Sequence, residues 1–226
     1  MMNKTKITIF CDFDGTISRR DIGYNIFHHF SNGKNDELLP DWKSGRLSSR
    51  DCLLKEAEMS PVTSEEFFPF LEQFKIDDGF SAFEKICNEN DIDIIILSDG
   101  FDLYINYILK KNNLERLRLI TNHGRIENGF IKIEFPHKNK FCTKCGSCKG
   151  ERIREYNDSL EKTPLTVFVG DGHSDTCAIA EADILFAKKD LEKYCQINDI
   201  EYQPYDDFYD VIRQLEKMKI LSKDNP

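Results

Sequence analysis

Two pairs of aspartates dominate the chemistry this chain can offer. Asp12 and Asp14 are one residue apart in Asp12-Phe13-Asp14-Gly15-Thr16, directly after the β-branched and aromatic run from Ile7 to Cys11. At the end of a strand, period-two geometry points both carboxylates toward one pocket. Asp171 and Asp175 share the Gly-rich turn Gly170-Asp171-Gly172-His173-Ser174-Asp175, which is expected to open a helix. One aspartate on a loop is ordinary, but a set of four, each at a strand end, is not. Gathered together they repel unless a cation offsets them, and hard oxygen donors suit Mg²⁺, which also binds substrate phosphate. A second cluster is Cys142-x₂-Cys145-x₂-Cys148, just before Lys149. The spacing permits metal ligation, although the fourth Cys and the Pro of an iron–sulfur run are missing. His137 would complete a Cys₃His zinc site; reduced thiols and a redox disulfide are the other readings.

These groups need strands to deliver them. Ile7 to Cys11, Ile92 to Leu97, Leu165 to Val169 and the shorter Asp183 to Phe186 are apolar runs. The first three end in polar, Asp-bearing turns, and helix-like sequence follows each run. That rhythm specifies an α/β fold with a doubly wound, mainly parallel, Rossmann-like sheet. Ligands in such sheets bind beyond the carboxyl ends of the strands. The stretch between the first two runs is too long for a simple crossover and is rich in helical patterns. Ile22, Ile26, Phe27 and Phe30 mark one face, and Thr63 with Glu66 forms a capping box ahead of Phe67, Phe68 and Leu71. We expect a helical cap over residues 18–77, with residues 1–17 and 78–226 as the α/β core. Phe80, Phe83 and Cys87 face the core from the helix leading into the second run. Arg125 to Phe135 is expected to be a hairpin turning at Asn128-Gly129. Phe208 to Met218 is expected to close the chain as an amphipathic helix.

Composition narrows the function classes. The 226 residues carry 40 acidic and 31 basic side chains, a formal charge of −9, which argues against nonspecific binding to nucleic acid or an anionic membrane. No window approaches the run of about 18 apolar residues that suggests a membrane span. No secretory leader is visible, so the cytoplasm is the expected compartment, and the eight cysteines are expected to be free thiols or metal ligands.

Four motifs in order resemble the haloacid dehalogenase superfamily, specifically its phosphatases. Asp12-Phe13-Asp14-Gly15-Thr16 is similar to the first motif, Ser98-Asp99-Gly100 to the second, Lys149 to the third, and Gly170 to Asp175 to the fourth. The resemblance implies an aspartyl-phosphate mechanism with Asp12 as nucleophile and Asp14 as acid, then base. It implies Mg²⁺ held by Asp12, Asp171 and the Asp14 backbone carbonyl, with Asp175 in support. Ser98, Asp99, Gly100 and Lys149 would bind phosphate, although Asp99 would serve equally as a loop anchor. A dehalogenase would share the nucleophile, but Asp14 and the Asp171/Asp175 turn fit magnesium phosphatases better. Cys148-Lys149-Gly150 and the downstream Phe186-Ala187 and Tyr202-Gln203-Pro204-Tyr205 resemble two branches. One is the methionine-salvage phosphatase acting on 2-hydroxy-3-keto-5-methylthiopentenyl 1-phosphate; the other is the phosphoethanolamine/phosphocholine phosphatase. Both resemble phosphoserine phosphatases, although Ser174 stands where those often carry Asn.

A cap would exclude water and select a small phosphorylated metabolite. Asp21, His28, Arg46 and Arg50 are the candidate selectivity residues. Asp21 fits a helix N-cap equally well, and surface placement is the ordinary reading for both arginines. His29 is a weaker candidate. A noncatalytic metabolite-binding protein on the same fold, and a scaffold organised by the cysteine cluster, are the competing classes.

Overall fold

The computed structural model describes residues 6–222. Among them, strands β1 (Ile7–Asp12), β2 (Asp93–Phe101), β3 (Arg118–Glu127), β4 (Phe130–Glu134), β5 (Leu165–Gly170), β6 (Ile184–Ala187) and β7 (Gln203–Pro204) form one sheet. Its order is β4-β3-β2-β1-β5-β6-β7, and every neighbouring pair is parallel except β3 with β4. The order runs outward from β1 in both directions, so the crevice at its carboxyl end is the topological switch point. β1 is apolar on both faces because helices cover both. Ile9 and Cys11 join one core cluster and Phe10 the other, as period-two alternation requires.

The connection from β1 to β2 is helical. A turn over Phe13–Ile17 leads to α1 (Ile22–Phe30), a 3-10 segment (Lys34–Glu37), α2 (Leu39–Lys43), α3 (Ser49–Glu58), α4 (Ser64–Leu71) and α5 (Phe80–Glu89). The insert leaves and rejoins the core at the antiparallel bridge of Ser18 with Ile76, and a second bridge joins Pro61 to Phe130 of β4. It is tied at the first bridge by Arg19 N–H to Lys75 O at 3.0 Å and Asp77 N–H to Ile17 O at 2.8 Å. Glu66 accepts the Thr63 backbone N–H at 2.9 Å, capping α4 as its sequence specifies. The remaining helices are α6 (Asp102–Lys111), α7 (Lys149–Asp158), α8 (Lys189–Ile197) and α9 (Phe208–Lys217). No helix among the described residues is long and apolar enough to cross a membrane.

Three local features depart from the sequence pattern. β2 continues through Ser98-Asp99-Gly100 to Phe101, with its register broken between Leu97 and Phe101. Asn122 makes this extension workable: its Nδ2 donates to Asp99 O at 2.8 Å and Gly100 O at 2.9 Å where the backbone ladder lapses. The turn after Asp171 opens a 3-10 segment, His173–Glu181, rather than an α-helix. The hairpin does turn at Asn128 and Gly129, both at positive φ, but its first strand starts at Arg118 because its early half pairs with β2 instead.

Candidate active site

The floor of the site is where β1 and β5 end. Asp12, 4% exposed, is the last residue of β1, and its Oδ1 lies 2.5 Å from Lys149 Nζ. Lys149, the first residue of α7 and only 1% exposed, also bonds Asp175. Asp12, Asp171 and Asp175 each bring a carboxylate oxygen within 4.8 Å of the others. The β5 turn is pinned by Asp175, whose Oδ2 accepts the Asp171 N–H at 2.9 Å and the Gly172 N–H at 2.8 Å. Lys189, directly past the end of β6, donates to Asp171 Oδ2 at 2.8 Å and Gly15 O at 2.9 Å, and Thr16 Oγ1 donates to Asp171 Oδ1 at 3.3 Å. Gly15 has φ +76° and faces Asp171 so closely that a Cβ would stand 2.3 Å from Asp171 Oδ2, so no larger residue fits.

Burial, then the charges of Asp175 and Asp171, pushes the Asp12 carboxyl well up; Lys149 opposes this only in part. Asp175 is raised chiefly by burial. Burial works against the Lys149 ammonium, yet Asp12 and Asp175 hold it well above the usual lysine range. The donor set therefore fits a hard divalent cation. It consists only of converging carboxylate oxygens, and their mutual repulsion is what such an ion relieves.

Asp14 belongs to a different subsite. Its side chain points away from the triangle, with Oδ1 accepting Ile22 N–H at 2.8 Å and Gly23 N–H at 3.2 Å, and Oδ2 accepting the Tyr104 hydroxyl. Its enclosure, then the neighbouring Asp21, lifts it to about 7, even though those hydrogen bonds favour the anion. Such a group exchanges protons near neutrality. Ser98 Oγ accepts the Gly100 N–H at 2.9 Å. Asp99 Oδ1 accepts Ser147 N–H at 2.7 Å, which anchors the loop preceding Lys149. Burial pushes Asp99 up to about 6.

A cavity of about 720 Å³ opens above this floor. Its core side is lined by Asp12, Asp14, Ser98, Asp99, Gly100 and Lys149, and its insert side by Asp21, Tyr24, Phe27, Trp42, Leu53 and Glu56. Trp42 of α2 meets His173 edge to face at 6.1 Å, joining insert to core. A smaller depression of about 330 Å³ around Glu84 and Arg116 lies at the amino ends of β2 and β3, remote from the carboxylates.

The candidate selectivity residues separate here. Asp21 caps α1, accepting Tyr24 N–H at 2.8 Å, and also lines the cavity. Arg46, Arg50 and His28 do not line it. Arg46 bonds the exposed Asp41, Arg50 sits 4.7 Å over the Phe135 ring, and His28 is engaged by Asp36 at 3.3 Å. His29 stacks on Phe70. In the cysteine loop, the thiols of Cys142, Cys145 and Cys148 gather within 4.8 Å of one another, a grouping that does not include His137. Tyr104, Glu56, Cys177 and Lys189 were given no role from the sequence, and of these Lys189 had a signal, its place just beyond a strand end.

The model of the "Putative Phosphatase" family matches residues 7–206. The chain belongs to this phosphatase family. It is 30% identical over 216 residues to 2-hydroxy-3-keto-5-methylthiopentenyl-1-phosphate phosphatase of Bacillus thuringiensis (strain Al Hakam), covering 94% of this chain and 97% of that protein. The same figures hold for the enzyme of that name from Bacillus anthracis. Among solved structures, a phosphoserine phosphatase carrying a phospho-aspartyl intermediate analogue aligns with TM-score 0.69 and 20% identity, covering 95% of this chain and 99% of that one. A substrate-bound phosphoserine phosphatase complex aligns with TM-score 0.69 and 21% identity, covering 96% and 99%. These two likenesses establish the fold, a mainly parallel haloacid dehalogenase-type core with a helical cap. The phosphatase is thus a phosphoric monoester hydrolase, and its Asp12/Asp171/Asp175 triangle is the kind that binds Mg²⁺ in that superfamily.

Proposed function

We propose that this phosphatase hydrolyses a small phosphorylated metabolite through a phosphoryl group carried on Asp12, with 2-hydroxy-3-keto-5-methylthiopentenyl 1-phosphate as the first candidate substrate. The carrying observation is Asp12 itself, a buried strand-end carboxylate in contact with Lys149, inside a carboxylate triangle and under an enclosed cavity. Residues 18–77 act as the cap over a core of residues 1–17 and 78–226, of which 1–5 and 223–226 lie outside the described residues.

In this mechanism Ser98, the N–H groups around Gly100, and Lys149 hold the substrate phosphate. Asp12 Oδ attacks phosphorus, and the bond to the leaving oxygen breaks. Asp14 gives that oxygen its proton. It then takes a proton from the water that attacks the phosphoryl-aspartate, which releases inorganic phosphate and restores Asp12. Asp12, Asp171 and the Asp14 carbonyl, with Asp175 in support, would hold Mg²⁺, which would supply positive charge against the phosphoryl oxygens. Asp99, tied to Ser147, positions the Lys149 loop. Neither Arg46 nor Arg50 takes a direct part. All eight cysteines are free thiols, which suits a reducing compartment such as the cytoplasm.

One observation favours a second substrate class. Asp21 and Glu56 present acids on the cap side beside Tyr24 and Trp42, and acids with aromatic faces suit a substrate cation. That surface fits phosphocholine or phosphoethanolamine better than the carboxylate of phosphoserine. Phosphate release from the enol phosphate, the two amine phosphates, phosphoserine and an aryl phosphate, with and without Mg²⁺, tests both readings. A magnesium-dependent preference for the enol phosphate supports the first, and preference for an amine phosphate supports the second. Failure of every ester, together with failure to bind beryllium fluoride, points to a binding protein on this fold.

A further inference from the structure

Residues 135–148, between β4 and α7, contain no helix or strand. Stretches this long without regular structure are uncommon inside a compact domain. This one has little apolar anchorage at its centre, where Phe141 is 77% exposed. Polar bonds shape it instead. Glu151 of α7 accepts the N–H groups of Phe141 at 3.0 Å and Cys142 at 2.6 Å. Asn139 donates to Cys145 O at 2.7 Å and accepts from Cys148 N–H at 3.2 Å. The result is three sulfurs turned inward, Cys142, Cys145 and Cys148, all within 4.8 Å.

A fourth thiol arrives from another element. Cys177, on the 3-10 segment that begins just after Asp171, packs against the start of α7; its Sγ donates to Ser174 O at 3.4 Å and stands outside the 4.8 Å grouping. Cys145 N–H points at Cys142 Sγ, 3.5 Å away. Backbone N–H groups aimed at sulfur are the outer contacts that orient and stabilise bound thiolates. Tetrahedral zinc with Zn–S bonds of about 2.3 Å sets its sulfurs roughly 3.8 Å apart, so a cluster this tight suits one ion.

We propose that Cys142, Cys145 and Cys148, gathered within 4.8 Å, hold a single zinc ion, and that Cys177 turns from Ser174 O to become its fourth thiolate. The ion would close the contact between the start of α7, which carries Lys149, and the segment carrying Asp175. Gly150 already packs so tightly there that a Cβ would lie 2.0 Å from Cys177 O. The same loop receives the cap, since Ser49 N–H of α3 donates to Lys144 O at 2.7 Å. Thus the ion fastens a loop that touches floor and lid alike. This inference does not depend on which ester the enzyme hydrolyses.

The test is metal analysis of the full chain, purified reduced and without a metal-binding tag. About one zinc per chain is expected, released when the thiols are mercurated. Cobalt substitution should give the thiolate charge-transfer and tetrahedral d–d bands of an all-sulfur site. Cys142→Ala and Cys177→Ala should each weaken zinc binding by roughly a hundredfold or more, whereas Cys195→Ala, buried elsewhere, should change nothing. Should the alanine variants fail to fold, Cys177→His keeps four ligands and must shift the cobalt bands toward a three-sulfur, one-nitrogen pattern. Zinc loss should speed hydrogen exchange at residues 139–150 and 173–178. Folded protein with reactive thiols, no zinc and no cobalt bands would overturn the site, as would a Cys145 disulfide or bound iron. Full zinc affinity in Cys177→Ala would remove Cys177, and unchanged exchange after zinc loss would remove the fastening role.

Discussion

The floor and the lid of the cavity are built in opposite ways. On the floor, most reactive groups take their position from the sheet: Asp12 ends β1, Ser98 stands where the β2 register breaks, Asp171 follows β5 and Lys189 lies just past β6, while Lys149 opens α7. Charges there are matched by named partners, Lys149 against Asp12 and Asp175, Lys189 against Asp171. On the lid, Asp21 caps α1, which carries Tyr24, while Trp42 comes from α2 and Glu56 from α3, and Glu56 accepts the Asn35 amide at 3.3 Å rather than an ion pair among the described residues. The contrast teaches that chemistry rests on a rigid, charge-compensated sheet edge, whereas selectivity rests on helix packing that can vary without disturbing that edge.

The largest effect expected from breaking this division is at Asp12. Asp12→Asn keeps the shape and removes the nucleophile, so kcat should fall by at least about a thousandfold for every ester. Its melting temperature at neutral pH should hold or rise, because burial and the Asp175 and Asp171 charges hold the Asp12 carboxyl well above its usual range, so that its ionised form costs stability there. Steady-state phosphate release beside a thermal melt checks both, and near-normal turnover would sink the mechanism. Asp14→Asn comes next. Losing acid and base assistance should lower kcat by roughly a hundredfold or more. The deficit should shrink for an aryl phosphate, whose leaving group needs no proton, at the first step but not at phosphoenzyme hydrolysis. Burst kinetics with that ester separates the two steps, and an equal deficit in both would reassign Asp14.

The same division governs how much could be read before the structure was known. Asp12, Asp14 and Asp171 were legible because a buried strand leaves a continuous apolar run followed by polar residues, a short-range signal, whereas Lys149 was legible only from its family position after the cysteine cluster. The mainly parallel sheet followed from that rhythm too. β7 was not legible, since two residues ending in Pro204 carry no periodicity. Nor was the extension of β2, which depends on the Asn122 side chain more than twenty residues away. Tyr104, Glu56 and Cys177 acquire meaning only from what packs against them: Asp14, the cap cavity and the cysteine loop. His137 had plausible spacing to the thiols, but the folded loop gathers Cys142, Cys145 and Cys148 without it.

Glu56 gives a medium-sized test on the lid. Burial raises its carboxyl from 4.5 to about 7. Because the folded protein holds that proton more tightly than the unfolded chain does, the stabilising contribution is complete below about pH 4.5. It is lost as pH rises through 7. The whole change is about 3 kcal/mol at most. Glu56→Gln removes it, so the variant should melt above the wild type at pH 8 and converge with it near pH 5. A gap that stays constant with pH would show that Glu56 is not the titrating group.

The smallest effect is expected at the two cap arginines, and it sharpens the comparison because lid position alone does not confer selectivity. Arg46 is two-thirds exposed and spends its charge on the exposed Asp41. Such a pair contributes about 0–1 kcal/mol, so Arg46→Ala should leave substrate ranking and kcat/KM within about twofold. Arg50 differs in one respect. Its guanidinium covers Phe135 at the start of the cysteine loop, a cation–π contact worth roughly 0.5–1 kcal/mol. Arg50→Ala should therefore loosen lid docking and raise KM by about the same small factor for every ester, without reordering them. Measured across the full substrate panel, a uniform shift places Arg50 in the docking of the lid. A change confined to one ester would mean that the closed lid brings Arg50 to the substrate, and the line between floor chemistry and lid selectivity would have to be redrawn to include it.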